Sequence, residues 1–336
     1  MSATAIPKAV AIENLASVGG RVQLEGTVAT KFADQEGSCV VVPVAPGRLH
    51  VGAPVATACD TEDTTGQTVG LTTTYVDNNN LGEISATRTD PATGQVTVGP
   101  VLLAFQEGSG CGPVSASGAG WLWVYEGCAV AGPVVLRLSA TTGQLLDTVD
   151  LSINFSVPVM AADADGLWFG PSVTSGWNGA PPAALYRLAP GASTPVAMDK
   201  MPERPLCWAV AEGSTVWAGI AAPSCGSAVT VRYNGLDPRP AFTTPARFTT
   251  LDVVGGSAGL WTVVSNRGVD ATQSIVVRID PTSGRETVVA RSSALTLEFG
   301  ELRSGEVALS RGSLYVLSLP YSTSGGLGRL FRITPG

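Results

Sequence analysis

The 336-residue chain holds 40 Gly and 23 Pro, is only 14% charged, and at 44% apolar is too hydrophobic to be disordered. A net charge of −7 and a pI near 4.8 argue against nucleic acid and equally against an anionic membrane surface, since both call for a basic stripe. No apolar run approaches the ~20 residues that cross a bilayer, so direct membrane insertion is not expected. No amphipathic helical pattern persists either, and the composition is that of many short strands joined by turns, an all-β chain.

The opening residues, MSATAIPKAVAIENL, have neither the cationic region nor the apolar core of a signal peptide. The expectation is a cytosolic protein, or a mature segment behind a new initiator Met. Residues 21–29, RVQLEGTVA, read as a strand standing apart from the repeats that follow. Six cysteines bear on the compartment. Cys39, Cys59, Cys111, Cys128, Cys207 and Cys225 fall into three pairs separated by 20, 17 and 18 residues. With no CxxC and a single His, zinc is disfavoured. Three evenly spaced pairs favour disulfides and an exported, extracellular or cell-surface protein. Six reduced core cysteines in a cytosolic protein are the competing reading.

From residue 37 onward a two-part landmark recurs. Arg88, Arg137, Arg187, Arg232, Arg278 and Arg332 follow one another at intervals of 49, 50, 45, 46 and 54 residues. Upstream of each lies a turn and then an apolar residue followed by a ring: Leu49-His50, Leu122-Trp123, Leu167-Trp168, Val216-Trp217, Leu260-Trp261 and Leu314-Tyr315. The fifth copy divides into four strands at about 249–254, 259–264, 274–280 and 285–290. Asp280-Pro281-Thr282-Ser283-Gly284 reads there as a type I turn closed by Gly. Four strands in such a repeat make a propeller blade.

The expected fold is therefore a single-domain, six-bladed β-propeller with four-stranded antiparallel blades. The blades fall at about 37–105, 108–152, 155–200, 204–245, 247–294 and 297–335. The last copy stops before a fourth strand, and 21–29 is predicted to supply it and close the ring, which removes two exposed edges.

The Leu-Trp strand followed by RIDPTSG (278–284), together with the ending GRLFRITPG, resembles the blades of NHL and YVTN propellers and of virginiamycin B lyase over nearly the whole chain. The resemblance implies the fold. The lyase chemistry implied by that family uses histidines and acidic residues around a metal, and a chain whose only His is His50 does not match it.

In each cysteine pair the first Cys opens strand one and the second follows strand two. Bridges 39–59, 111–128 and 207–225 would then staple one face of three blades, here called the top, at about 3 kcal/mol each. His50 occupies an aromatic slot and is expected to be a core or interblade residue. Trp123, Trp168, Trp217 and Trp261 are expected to pack between blades, each burying ~200 Å². The repeated Arg residues are expected to tie blades through backbone carbonyls or to stack on rings. Asp163-Ala164-Asp165-Gly166 reads as a hairpin turn, and Asn154-Phe155-Ser156 as a sequon that matters only in a eukaryotic secretory host.

Departures from the repeat are the candidates for function. Blade one carries some 25 extra residues, about 53–81, including CDTEDTTG. Asp60, Glu62, Asp63 and Asp77 are oxygen ligands of the kind Ca2+ takes, but their spacing matches no full calcium motif, and a solvated, stapled loop is the preferred reading. Tyr75, Tyr125, Glu126, Trp177, Arg267, Asp270 and Tyr321 lie in or beside top-face loops. Rings in Gly/Ser-rich loops suit the stacking of a sugar or the holding of a peptide, and equally the covering of loop backbone.

The expected function is a non-catalytic exported recognition or sensor module that binds a glycan, peptide or protein on its top face, with no cofactor unless Ca2+. The alternative is a lyase- or hydrolase-type propeller enzyme using top-funnel carboxylates and a divalent metal. A structural scaffold is the third reading.

Overall fold

The computed structural model describes residues 2–5, 10–18, 21–28, 38–45, 49–51, 55–56, 69–76, 81–89, 96–106, 112–153, 155, 158–172, 185–198, 204–221, 224–235, 237, 239–248, 253–265, 274–292, 307–310, 313–318 and 329–334. These form seven antiparallel sheets, each a run of neighbouring strands. The first holds Val10–Val18, Arg21–Val28 and Ser38–Ala45, with His50–Val51 and Val55–Ala56 both paired to Ser38–Ala45. The second holds Val69–Val76, Leu81–Thr89 and Val96–Gln106. The third holds Val114–Gly118, Trp121–Glu126, Val134–Ser139 and Leu145–Asp150.

The fourth sheet holds Pro158–Asp163, Gly166–Pro171, Tyr186–Leu188 and Val196–Ala197. The fifth holds Leu206–Glu212, Thr215–Ile220, Val229–Asn234 and Phe242–Pro245. The sixth holds Val254–Gly256, Gly259–Ser265, Ser274–Ile279 and Glu286–Ser292. The seventh holds Val307–Ser310, Ser313–Ser318 and Arg329–Ile333, and Ser2–Ala5 pairs with the last of these.

Apolar residues on both faces of a sheet require a neighbour on each side. Val22, Leu24, Val42 and Val44 of the first sheet pack on Ala308, Tyr315 and Leu330 of the seventh. Equivalent clusters join second to third, third to fourth, fourth to fifth, fifth to sixth, and sixth to seventh. From the third sheet to the seventh and on to the first, the opening strands of successive sheets touch one another, so they gather about a common axis. This is the architecture of a β-propeller. Second strands are consequently buried almost throughout, as in Trp121–Glu126, Gly166–Pro171 and Thr215–Ile220, whereas the outer strand Leu145–Asp150 is largely exposed.

The repeated landmark has a single physical meaning. Trp123, Trp168, Trp217 and Trp261 lie directly across the strand pair from Arg137, Arg187, Arg232 and Arg278. Each guanidinium sits 5.4–5.8 Å from its indole centroid, a cation–π contact made four times. Tyr315 lies across the strand pair from Arg332 in the seventh sheet. The closing turn also behaves as its residues require. Asp280 Oδ1 accepts from the N–H groups of Thr282 and Ser283, and Gly284 has φ +69. A side chain at Gly284 would meet Phe242 of the preceding sheet, so the position needs both the left-handed backbone and the missing Cβ. Through that turn the sixth sheet docks on the fifth: Trp217 Nε1 donates to Pro281 O at 2.8 Å and Thr244 Oγ1 to Ser283 O at 2.6 Å.

Three expectations are corrected. There are seven sheets among the described residues where six blades were expected, because the stretch 37–105 contributes to two of them. Arg21–Val28 does not complete the last sheet; it lies between Val10–Val18 and Ser38–Ala45, and the strand added to the last sheet is Ser2–Ala5. His50 is exposed beside Ala45 and fills no aromatic slot. The cause is common to all three. In the first sheet the positions of the Trp–Arg pair are held by Gln23 and Pro43, and in the second Arg88 faces Val69, so both sheets lack the ring that marks the others.

Candidate functional site

At the end of the sheets where second strands finish and first strands begin, the third sheet carries two of the expected ligand residues. Trp121–Glu126 ends there in Tyr125 and Glu126, both expected in the ligand surface and both fully buried. The Tyr125 hydroxyl donates to Phe155 O and accepts from Phe155 N–H, each at 2.7 Å. Burial pushes its phenol up to about 12. Phe155 in turn meets the rings of Phe169 and Tyr186, so Tyr125 anchors the passage between the third and fourth sheets. Glu126 Oε1 accepts from Cys128 N–H at 2.7 Å. Desolvation raises its carboxyl above the usual range, opposed by the amides of Cys128 and Gly112. Neither residue is presented to a ligand.

The last residues of the second sheet cross onto this corner. Gln106 N–H donates to Cys128 O at 3.0 Å and Val130 N–H to Ala104 O at 3.2 Å. Phe105 lies flat on Gly82, where any Cβ would sit 2.3 Å from a ring carbon. Tyr75 occupies the register position next to Gly82 and is 58% exposed, beside Val76 at 41%. Tyr75 is thus a predicted ligand residue that does stand at the surface. Trp177, Arg267, Asp270 and Tyr321 lie outside the described residues, as do Asp60, Glu62, Asp63 and Asp77.

Cys207 and Cys225 are bridged, with Cα atoms 5.7 Å apart and both side chains buried. The bridge joins the entry of the fifth sheet's first strand to the turn after its second, the placement expected. Cys128 is also disulfide-bonded. Cys59, Cys111 and the side chain of Cys39 fall outside the described residues, so the other two pairings are not seen directly.

At the opposite end of the sheets, carboxylates appear that were read only as turn residues or not at all. Asp163 closes the hairpin of the fourth sheet, with Oδ1 accepting from Asp165 N–H at 2.8 Å, while Arg187 Nη2 donates to Asp165 O at 2.6 Å. The Asp-Gly turn foretold this geometry but not the burial. Asp163 is 5% exposed and its Oδ2 has no partner. Desolvation chiefly, with the charge of Asp165 adding and Arg187 opposing, raises its carboxyl to about 6. One sheet on, Glu212 binds Ser257 of the sixth sheet through both its N–H and its hydroxyl. Glu286 is buried and raised by desolvation, and accepts from Arg247 N–H at 2.8 Å. Among the described residues no three His, Cys, Asp or Glu side chains converge in a metal-binding set.

No family model matches the chain, and no curated protein matches it. Solved structures do. An uncharacterized protein of Listeria monocytogenes EGD-e is similar over 100% of this chain and 98% of its own, at 10% identity and a TM-score of 0.55. A chain of the mitotic checkpoint complex is similar over 99% and 94%, at 10% identity and 0.54. A chain from a study of two prolyl endopeptidases is similar over 92% of this chain, at 14% identity and 0.52, and this chain spans 44% of its length. The likeness is one of fold.

Proposed function

We propose that the chain is a seven-bladed propeller, closed by its N-terminal strand, that serves as an exported, non-catalytic recognition or sensor module. Its ligand is a glycan, peptide or protein held on the top face. One observation carries the reading: among the described residues the buried carboxylates stand apart from one another instead of converging, and each is held to backbone through at least one oxygen. Glu126, Asp163 and Glu286 each accept from the backbone amides of a turn or a neighbouring strand, in three separate places. The chain's single His stands exposed on a two-residue strand. The buried disulfide suits an oxidising compartment. Tyr75 and Val76, exposed on the top rim, supply the apolar contact area that recognition surfaces use.

The test is a glycan and peptide binding screen with the full chain, followed by Trp177→Ala and Tyr75→Ala. Each change should weaken the ligand found by more than ~1 kcal/mol at unchanged thermal midpoint. Unchanged affinity in both variants would remove the top face from the reading. Turnover of a screened compound would replace it with the hydrolase or lyase reading.

A further inference from the structure

In the third to seventh sheets, the residue two places before the landmark ring opens the second strand, on the same face as the ring. In the third sheet it is Trp121, and the Arg137 guanidinium lies 5.2 Å from its ring as well as on Trp123. In the seventh it is Ser313, whose Oγ accepts from Arg332 Nε at 3.1 Å. The fourth has Gly166 there, but Leu188 O fills the space a Cβ would take. Arg187 is only 9% exposed, and its Nη2 is held by Asp165 O. The sixth sheet differs. Its residue is Gly259, and the three atoms nearest a Cβ built there are all on donor groups: Trp261 Nε1 at 3.2 Å, Arg278 Nε at 3.4 Å and Arg278 Nη2 at 3.7 Å. Arg278 is exposed, with its guanidinium 5.7 Å from the Trp261 centroid. Among the described residues neither donor group is taken by a hydrogen bond or an ion pair. Asp280 lies near enough to feel the charge of Arg278, yet its Oδ1 is turned into its own turn, toward Thr282 and Ser283.

We propose that the notch over Gly259 is a binding site for a small carboxylate, held by Trp261 Nε1 and the Arg278 guanidinium. An oxygen resting where the Cβ is missing accepts from the indole N–H and from Arg278 at once, and the guanidinium fork takes the second oxygen. A planar fork beside a neutral N–H suits a carboxylate better than a spherical anion. The donors are held in place before any ligand arrives. Trp261 is 5% exposed and packs among the apolar residues that join the sixth and seventh sheets, and Arg278 lies on its ring. The net charge of −7 works against an extended polyanion and favours a ligand with a single charge. Gly259 stands at the end of the sheets opposite the top face, so this site is separate from the surface proposed above and does not depend on it.

The indole N–H resonances of the full chain, isotopically labelled at tryptophan, test it. Trp261→Phe assigns the Trp261 signal by its loss. Sodium glucuronate and N-acetylglycine present the carboxylate on a sugar acid and on an amino-acid derivative, and sodium chloride at equal ionic strength is the control. A carboxylate probe should move the Trp261 signal saturably while those of the other tryptophans stay in place, and the tighter of the two probes names the source. Arg278→Gln should weaken that probe at least about ten-fold. Arg278→Lys keeps a charge over the ring but loses the fork, and it should show the same loss if the Gln variant does not fold. A Trp261 signal that does not move, that moves equally with chloride, or that titrates with unchanged affinity in the folded variant would overturn the proposal.

Discussion

Asp163 offers a prediction whose sign can be worked through. Its carboxyl is raised from 3.8 to about 6 in the fold, chiefly by desolvation. Below the unfolded value both states are protonated and the group costs nothing. As pH rises, the unfolded chain ionises freely while the folded one resists. Stability is therefore lost progressively until pH passes about 6, and stays lost above it. At 1.36 kcal/mol per unit the loss is at most about 3 kcal/mol at pH 8. Asp163→Asn keeps the Oδ1 acceptor that Asp165 N–H uses and removes the ionisation. Urea unfolding followed by tryptophan fluorescence, with the variant and the parent compared at each pH, cancels the other carboxylates. The difference should favour the variant increasingly from pH 4 to pH 7 and then level off. Any fixed cost of placing an amide where Oδ2 lacks a partner shifts that curve without changing its slope. A difference that is flat across the range would refute the claim that this carboxylate is ionised at a cost. Glu126 and Glu286 are raised by the same cause, so the parent protein should itself be more stable at mildly acid pH than at pH 8.

Two further outcomes follow from the junctions between sheets. Trp217 Nε1 bonds to Pro281 O of the next sheet, whereas Trp168 Nε1 has no partner. Trp217→Phe should therefore cost about 1 kcal/mol more than Trp168→Phe in denaturant unfolding, and equal losses would show that the bond adds nothing net. Removing residues 1–5 bares the edge of Arg329–Ile333, which Ser2–Ala5 covers. The truncated chain should melt lower and self-associate on size exclusion, since an exposed edge is a template for pairing; an unchanged midpoint would make the strand dispensable.

What could be read in the sequence was what the packing repeats. The Trp–Arg pairs and the Asp-Pro turn recur because each blade needs a ring to fill its junction, a cation to lie on that ring, and a tight return at its rim. In the fifth copy, the one divided into strands from the sequence, the second and third were expected at about 259–264 and 274–280 and stand at Gly259–Ser265 and Ser274–Ile279, whereas the first, expected at about 249–254, stands at Val254–Gly256. The first sheet was illegible for the same reason: with Gln23 and Pro43 at the paired positions, nothing distinguished it from a lone strand awaiting a partner. Its strand Ser38–Ala45 and the second sheet were accordingly merged into one overlong blade, and the excess length looked like an insertion. The error also hid the strand added to the last sheet, because Ser2–Ala5 is too short for a period-2 pattern to show and is recognised only by the edge it covers. The candidate site failed in a related way. Tyr125 looked like a loop aromatic because it ends a strand, yet the next connection folds back over it and Phe155 takes up its hydroxyl. A strand-end ring is exposed or buried according to a loop thirty residues away, and no local pattern records that.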